Sequence, residues 1–328
     1  MARKPAELKW TMREVLPPGT PTFAVACPMG FVLIGGVGIF RVPPRSWDPQ
    51  HRAVPDEMGP IHAIAMEPRP PFRVAMAPEA GDVIMFTDTP TGTSLMGVGF
   101  TAQRGGKRAM QLAWVEHEGQ SWLFARTDDG GFYRMDTEGW GKCDLPPVHA
   151  IAQDQDGGVA ALMIVDNRPI VHVSRDGGDK WIWRKLDVEV EAEPDAPACL
   201  ALAGEAVALA VGDSGPLLSW GPKAATVRVP GLTRTCALAF TGSKRGSWIY
   251  AAQQRAGDEP ANISLISGKD DVLRVFTLLC EDNDPLDLGP IAWDPARKAL
   301  LIGARSGLLA MDPDRPKRAP AKRKPLVQ

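Results

Sequence analysis

Short apolar runs, each cut off by glycine, asparagine or proline, recur along the whole chain. Residues 148 to 187 show the pattern most clearly: "VHAIAQD", "VAALMIVD", "PIVHVSRD" and "KWIWRKLD" follow one another with turn residues between them. Runs of this length, rich in β-branched residues and bounded by turn formers, predict four consecutive antiparallel strands. The same order is seen in "QLAWVE", "SWLFART", "GFYRMD" and "WGKCDLPP" (111 to 147). Few stretches carry alanine, glutamate, lysine and leucine at helical spacing, and 33 Gly and 31 Pro punctuate the rest, so the chain reads as all-β.

The runs are periodic. "IGGVGIFRV", "RTDDGGFYRMD", "VGDSGPLLSW" and "IGARSGLLAMD" each place a glycine turn between two apolar runs, and the last glycine is Gly38, Gly131, Gly215 and Gly307. The intervals are 93, 84 and 92 residues, each close to twice 45. Three further copies fall between them, at "VIMFTD" (Val83), "IVHVSRD" (Ile170) and "ISLIS" (Ile263). A second series is independent of the first: "FAVAC", "HAIAM", "LAW", "HAIAQ", "LALA", "CALAF" and "IAW", one ahead of each glycine turn. Seven units of about 45 residues, each of four short strands, have the dimensions of propeller blades. The alanine-rich run is the first strand of each blade, nearest the axis, where converging neighbours leave room for small side chains.

The seventh unit ends after "LLAMD" without a fourth strand, while "WTMREVLPP" (10 to 18) precedes any first strand and matches the fourth strand of the third unit. Residues 8 to 16 are therefore expected to complete the blade that residues 289 to 312 begin, which removes the open edges of the array. The domain reading is a flexible segment 1 to 7, one seven-bladed β-propeller over 8 to 312, and a disordered basic tail over 313 to 328.

Charge and cysteine content place this ring. The net charge of −2 divides into +6 on the last fourteen residues (Arg315, Lys317, Arg318, Lys322, Arg323, Lys324) and −8 on the remainder. A proline-broken basic tail is a solvated segment first, and nucleic acid would be reached through it alone. Five cysteines without CxxC spacing lie mostly in apolar runs and read as reduced thiols. "MARKPAELKW" has no apolar core, and the run "CLALAGEAVALAVG" is short and broken by Glu205, so a cytoplasmic protein without a membrane segment is expected.

Ser174, Asp176, Gly178 and Trp181 in "VSRDGGDKW" fit S-x-D-x-G-x-x-W, and here the chain resembles the Asp-box, or BNR, family of propeller repeats; Lys180 stands where threonine is common. The resemblance implies a turn between the third and fourth strands of a blade, where the periodicity also places it. Other copies are weak: "MDTEGWGK" and "VPPRSW" keep little beyond an aromatic. In such a turn the carboxylate accepts backbone N–H bonds, the glycines supply positive φ, and the indole packs between sheets. Each hydrogen bond contributes about 1 kcal/mol, whereas truncating a buried tryptophan costs about 3–5 kcal/mol, so Trp181 dominates and the motif is scaffolding.

Asp-box propellers include sialidases and other glycosidases, and that resemblance would imply a tyrosine nucleophile, a carboxylate base and an arginine cluster. Tyr133 and Tyr250 are the only tyrosines, and both sit inside strand repeats as packing residues. No pair among 39 acids has a distinguishing spacing. His62 and His149 occupy equivalent positions two blades apart, too few ligands for a closed metal site. "EDNDPLD" (281 to 287) lacks the glycine and final glutamate of a calcium loop, and "GGVGIF" lies between strands where a dinucleotide site needs a helix. No cofactor is implied. Loops around "PPRSWDPQHRAVPDEMGP", "FTAQRGGKRAM" and "QQRAGDEPAN", read as interblade connections, supply the candidate interaction residues Trp47, Arg104, Lys107, Arg108 and Arg255, and Trp248 joins them because, like Trp183 and Trp293, it is less constrained by the repeat. The expected role is a non-catalytic scaffold or accessory subunit presenting loops on one face to a protein partner. The alternative is a carbohydrate-active hydrolase with its site in the axial pocket.

Overall fold

The computed structural model describes residues 10–16, 20, 22–26, 32–36, 38–43, 46–52, 59–67, 73–79, 82–89, 92–97, 107–154, 157–191, 196–242, 248–254, 262–269, 272–278, 288–304 and 307–313. Among them every regular element is a strand. The first, β1 (Trp10–Leu16), stands apart from its neighbours in sequence. Blade 1 follows as β2 (Thr22–Ala26), β3 (Val32–Gly36), β4 (Ile39–Val42) and β5 (Gln50–Arg52). Blade 2 is β6 (Ile61–Met66), β7 (Arg73–Pro78), β8 (Ile84–Thr89) and β9 (Gly92–Gly97). Blade 3 is β10 (Ala109–His117), β11 (Gln120–Thr127), β12 (Phe132–Asp136) and β13 (Gly139–Lys142). Blade 4 is β14 (Val148–Gln153), β15 (Val159–Val165), β16 (Arg168–Ser174) and β17 (Ile182–Lys185). Blade 5 is β18 (Ala198–Ala203), β19 (Ala206–Val211), β20 (Leu217–Ser219) and β21 (Val227–Arg228). Blade 6 is β22 (Thr235–Phe240), β23 (Trp248–Gln253), β24 (Asn262–Lys269) and β25 (Val272–Leu278). Blade 7 is β26 (Leu288–Asp294), β27 (Ala299–Ala304) and β28 (Gly307–Pro313).

Blade 7 takes its fourth strand from the start of the chain. β1 pairs antiparallel with β28, Trp10 opposite Pro313 and Glu14 opposite Leu309, in a sheet ordered β1-β28-β27-β26. The other six sheets are plain four-stranded meanders. First strands meet first strands around the ring, β2 against both β6 and β26, which closes seven blades into a seven-bladed β-propeller.

The core is distributed over the seams between blades. Seven apolar clusters each span two neighbours: Ala65, Ala75 and Met85 of blade 2 meet Trp114, Leu123 and Tyr133 of blade 3, and Val15, Leu16 and Leu301 of blade 7 meet Val32, Ile34 and Val42 of blade 1. Alanines of the first strands (Ala63, Ala65, Ala113, Ala150, Ala201, Ala203, Ala239) are buried. Each fully buried large side chain contributes about 1.5–3 kcal/mol, so every seam carries several such contributions and blades depend on both neighbours.

Two of the loops have a different place from the one expected. The stretch 43 to 60 contains a strand, β5, whose three residues Gln50, His51 and Arg52 show no apolar alternation. Residues 253 to 262 join the second and third strands of blade 6 and do not connect blades. Six of the seven first strands also carry a β-bulge, with one extra residue at Phe23, His62, Met110, His149 and Cys236 and a shift across Gly289 and Pro290 in β26. The equivalence of His62 and His149 is thus structural: each is the bulged residue of its strand, and bulges re-aim side chains.

Candidate interaction face and the clasped face

In an up-and-down blade the turns after the first and third strands open on one end of the ring, and those after the second and fourth on the other. The turn from Ser174 to Trp181 belongs to the first end, between β16 and β17. Ser174 is buried, and its Oγ accepts the Gly178 N–H at 2.9 Å while donating to Asp176 Oδ1 at 2.9 Å. Asp176 Oδ1 also accepts the Lys180 N–H at 2.9 Å. Gly177 and Gly178 have φ of 75° and 89°, and a Cβ on Gly177 would lie 2.4 Å from the Trp122 ring of blade 3. Trp181 is half-buried, edge-on to Phe124 and Phe132 of blade 3 at 6.0 and 5.7 Å, and Asp179 meets Arg134 at 2.7 Å. The turn therefore staples blade 4 to blade 3. Ser174→Ala is expected to cost about 1–2 kcal/mol in chemical denaturation, because two backbone donors lose their acceptor in a buried turn.

Arginine–carboxylate clasps tie the same end together. A carboxylate follows the alanine run in "IAMEP", "AWVEH", "AIAQD" and "IAWDP", and three of these, Glu67, Asp154 and Asp294, are buried. Arg73 grips Glu67 through both oxygens at 2.9 Å; burial works against the Glu67 charge, and Arg73 outweighs it to hold the carboxyl below its usual range. Arg175 bridges Asp154 at 2.8 Å and the Gly204 carbonyl of blade 5. Arg297, its side chain 7% exposed, binds Asp294 and the Pro43 and Ser46 carbonyls of blade 1. These buried acids are bound to guanidinium groups within the scaffold.

The opposite end is built differently. Lys107 and Arg108, in the connection leading to β10, pair with Asp129 and Asp128 of the β11–β12 turn. The Lys107 bond, with one from Thr127, brings Asp129 from 3.8 down to about 2. Lys107→Met should raise the Asp129 pKa back toward 3.8 in a carboxyl NMR titration; a value left near 2 would assign the shift to Thr127 and Gly131 instead. Beside this turn lies the inner end of the seam between blades 3 and 4, where Gln111 and Arg126 are cross-strand partners. Gln111 Oε1 accepts the Ile151 N–H at 2.8 Å, Gln153 Oε1 accepts the Trp114 N–H at 2.8 Å, and Arg126 Nε donates to the Val148 carbonyl at 2.8 Å. His149, between Val148 and Ile151, is held below its ordinary range by burial and then by the Arg126 charge.

The candidate interaction residues do not gather in one place. Trp47 sits in the closing seam, with the Arg297 guanidinium 4.9 Å and the Arg13 guanidinium 5.5 Å from its ring centroid. Trp248 opens β23 at the clasped end and is 37% exposed. Lys107 and Arg108 lie at the other end. Arg104, Arg255 and the tail residues Arg315, Lys317, Arg318, Lys322, Arg323 and Lys324 lie outside the described residues, as does the acidic run 281 to 287. Ile182 and Trp183, which the sequence places in the fourth-strand run "KWIWRKLD" with no role assigned, are 71% and 65% exposed on the outer strand of blade 4. Tyr133 and Tyr250 are buried packing residues, Tyr250 stacked on Trp293 at 5.8 Å. Among the described residues no three His, Cys, Asp or Glu side chains are placed to hold a metal. Nor is any helix long and apolar enough to cross a membrane.

No family model matches the chain, and no curated protein matches it. Solved structures do resemble it. YCF48 from Cyanidioschyzon merolae superposes with a TM-score of 0.61 at 12% identity, over 92% of this chain and 98% of that one. A structure of YCF48 bound to D1 peptide gives 0.62 at 13% identity, over 95% and 97%. At these identities the likeness is one of fold.

Proposed function

We propose that the chain is a non-catalytic propeller, an accessory subunit that holds a protein partner on the end of the ring carrying the second-to-third and fourth-to-first connections. The observation that carries this reading is the contrast between the two ends. One is stapled by the Asp-box turn and the arginine clasps, which occupy its buried carboxylates; the other carries the longer connections, one of them basic (98 to 108, with Lys107 and Arg108) and others acidic (186 to 197 and 279 to 287), together with the half-buried guanidinium of Arg126. Irregular connections on a rigid ring are the usual place for recognition. A propeller of the same fold has been solved with a bound peptide, which supports a peptide or protein ligand over a glycoside. A cytoplasmic setting is part of the proposal: burial pushes the thiols of Cys143, Cys199 and Cys236 up to about 11, 12 and 11, where they are inert.

Affinity purification of the tagged full chain tests this. The wild type should retain a stoichiometric protein partner, and the charge-reversed pair Lys107→Glu with Arg108→Glu should lose most of it. Full retention by that variant would reject the assigned end. Turnover of a chromogenic glycoside that stops on replacing one channel-facing carboxylate would overturn the non-catalytic reading altogether.

A further inference from the structure

We propose that Arg126, Gln111 and His149 form a binding site for a carboxylate group at the inner end of the seam between blades 3 and 4. This rests on the reading of that end as the interaction face and names the chemistry it recognises. Arg126 is half-buried, and its hydrogen bond to the Val148 carbonyl uses Nε alone, which leaves both Nη groups of the guanidinium fork open among the described residues. Among the described residues, Arg73, Arg175 and Arg297 each hold a buried carboxylate, and Arg184 uses both Nη groups on Ser219 Oγ and the Glu205 carbonyl. Gln111, directly across from Arg126 on the neighbouring strand, commits its oxygen to the Ile151 N–H across the seam and keeps its amide NH₂ as a donor. The two side chains bracket the bulge that carries His149. Arg126 and Gln111 thus offer donors and His149 Nδ1 lies buried and unpartnered beside them, a donor only once the ring is protonated, while the acids nearest them, Asp128 and Asp129, are engaged by Arg108 and Lys107. A planar fork flanked by an amide and an imidazole matches a carboxylate's two oxygens.

The carboxylate has two sources, a free small dicarboxylate or an acidic side chain or C-terminus of the partner, and the test separates them. Full-length protein carrying isotope-labelled histidine would be titrated at constant ionic strength with sodium succinate, with sodium sulfate, and with one acidic peptide in free-acid and fully amidated forms. The expected result is a saturable shift of the His149 resonances with a carboxylate ligand, weakened at least tenfold by Arg126→Gln. Saturation by succinate alone identifies a small-molecule site; tighter binding of the free-acid peptide identifies a partner's carboxylate. Gln111→Glu guards against misfolding: it keeps the acceptor for Ile151 and sets a carboxylate within cross-strand reach of Arg126, so it should raise the melting temperature and block succinate. Unmoved His149 resonances, equal shifts in the Arg126→Gln protein, or a response to sulfate alone would overturn the site. A partner retained undiminished by Arg126→Gln, with succinate binding lost, would leave the scaffold reading intact and restrict the site to small ligands.

Discussion

Arg297→Met is expected to lower the unfolding free energy by about 3–5 kcal/mol, because it strands the fully buried Asp294 without its counter-charge. Several losses add to this one. The guanidinium also donates to the Pro43 and Ser46 carbonyls and lies against Trp47, so three groups of blade 1 lose their link to blade 7 at once. Asp294 would retain the N–H groups of Ala296 and Arg297, which stabilise its charge only in part. Urea unfolding of the two proteins measures the difference. A loss below about 1 kcal/mol, the size expected of an exposed pair, would mean that the clasp is open to water. The matching change at Arg175, whose side chain is 41% exposed, should cost less.

Deleting residues 1 to 16 is expected to have the largest effect of any change considered. Val15 and Leu16 are buried in the seam between blades 7 and 1, and their loss alone removes about 3–6 kcal/mol of apolar burial, a large part of the stability of an ordinary domain. The deletion also strips Arg13 from Trp47 and exposes the whole edge of β28, an invitation to intermolecular pairing. The truncated chain should aggregate on expression or unfold at markedly lower denaturant. Equal solubility and an equal midpoint would show that the ring closes without its first strand.

Much of the architecture is readable from the residues because it is written locally and repeated. The alanine run, the glycine turn after the second strand and the orphaned fourth strand at residues 10 to 16 each follow from short-range pattern, and each appears in the fold. The Ser174–Trp181 turn is equally local: Ser174, Asp176 and Gly178 bond to one another within it. β5 escaped because three polar residues on an outer strand carry no alternation to detect. The bulges escaped because an inserted residue such as His149 looks like ordinary strand until the partner's register is known.

The clasps and the open guanidinium were hidden for another reason. Arg297 finds its acceptors 251 and 254 residues away, a separation that no periodicity reports. One signal was nonetheless available: the acid that follows the alanine run in four of the seven units, which an alignment fixed on the alanines passes over. Trp47, placed among the exposed candidates, occupies the turn position that holds Trp181 in blade 4, and that equivalence foretold a packed indole. Nothing in the sequence distinguishes Arg126 from the paired arginines. Only the placement of acceptors around it in three dimensions does so.

Ring closure by the first strand is the claim on which the rest depends, and a cysteine pair tests it directly. Glu14 and Leu309 face each other across β1 and β28, and opposed residues of an antiparallel pair lie about 4.5–5.5 Å apart at Cα, inside the range a disulfide spans. In the doubly substituted protein, Glu14→Cys with Leu309→Cys, mild oxidation should join the two terminal peptides within one chain, as read by mass spectrometry without reduction. Recovery of those peptides unlinked, or linked only between chains, would contradict the closed seven-bladed ring.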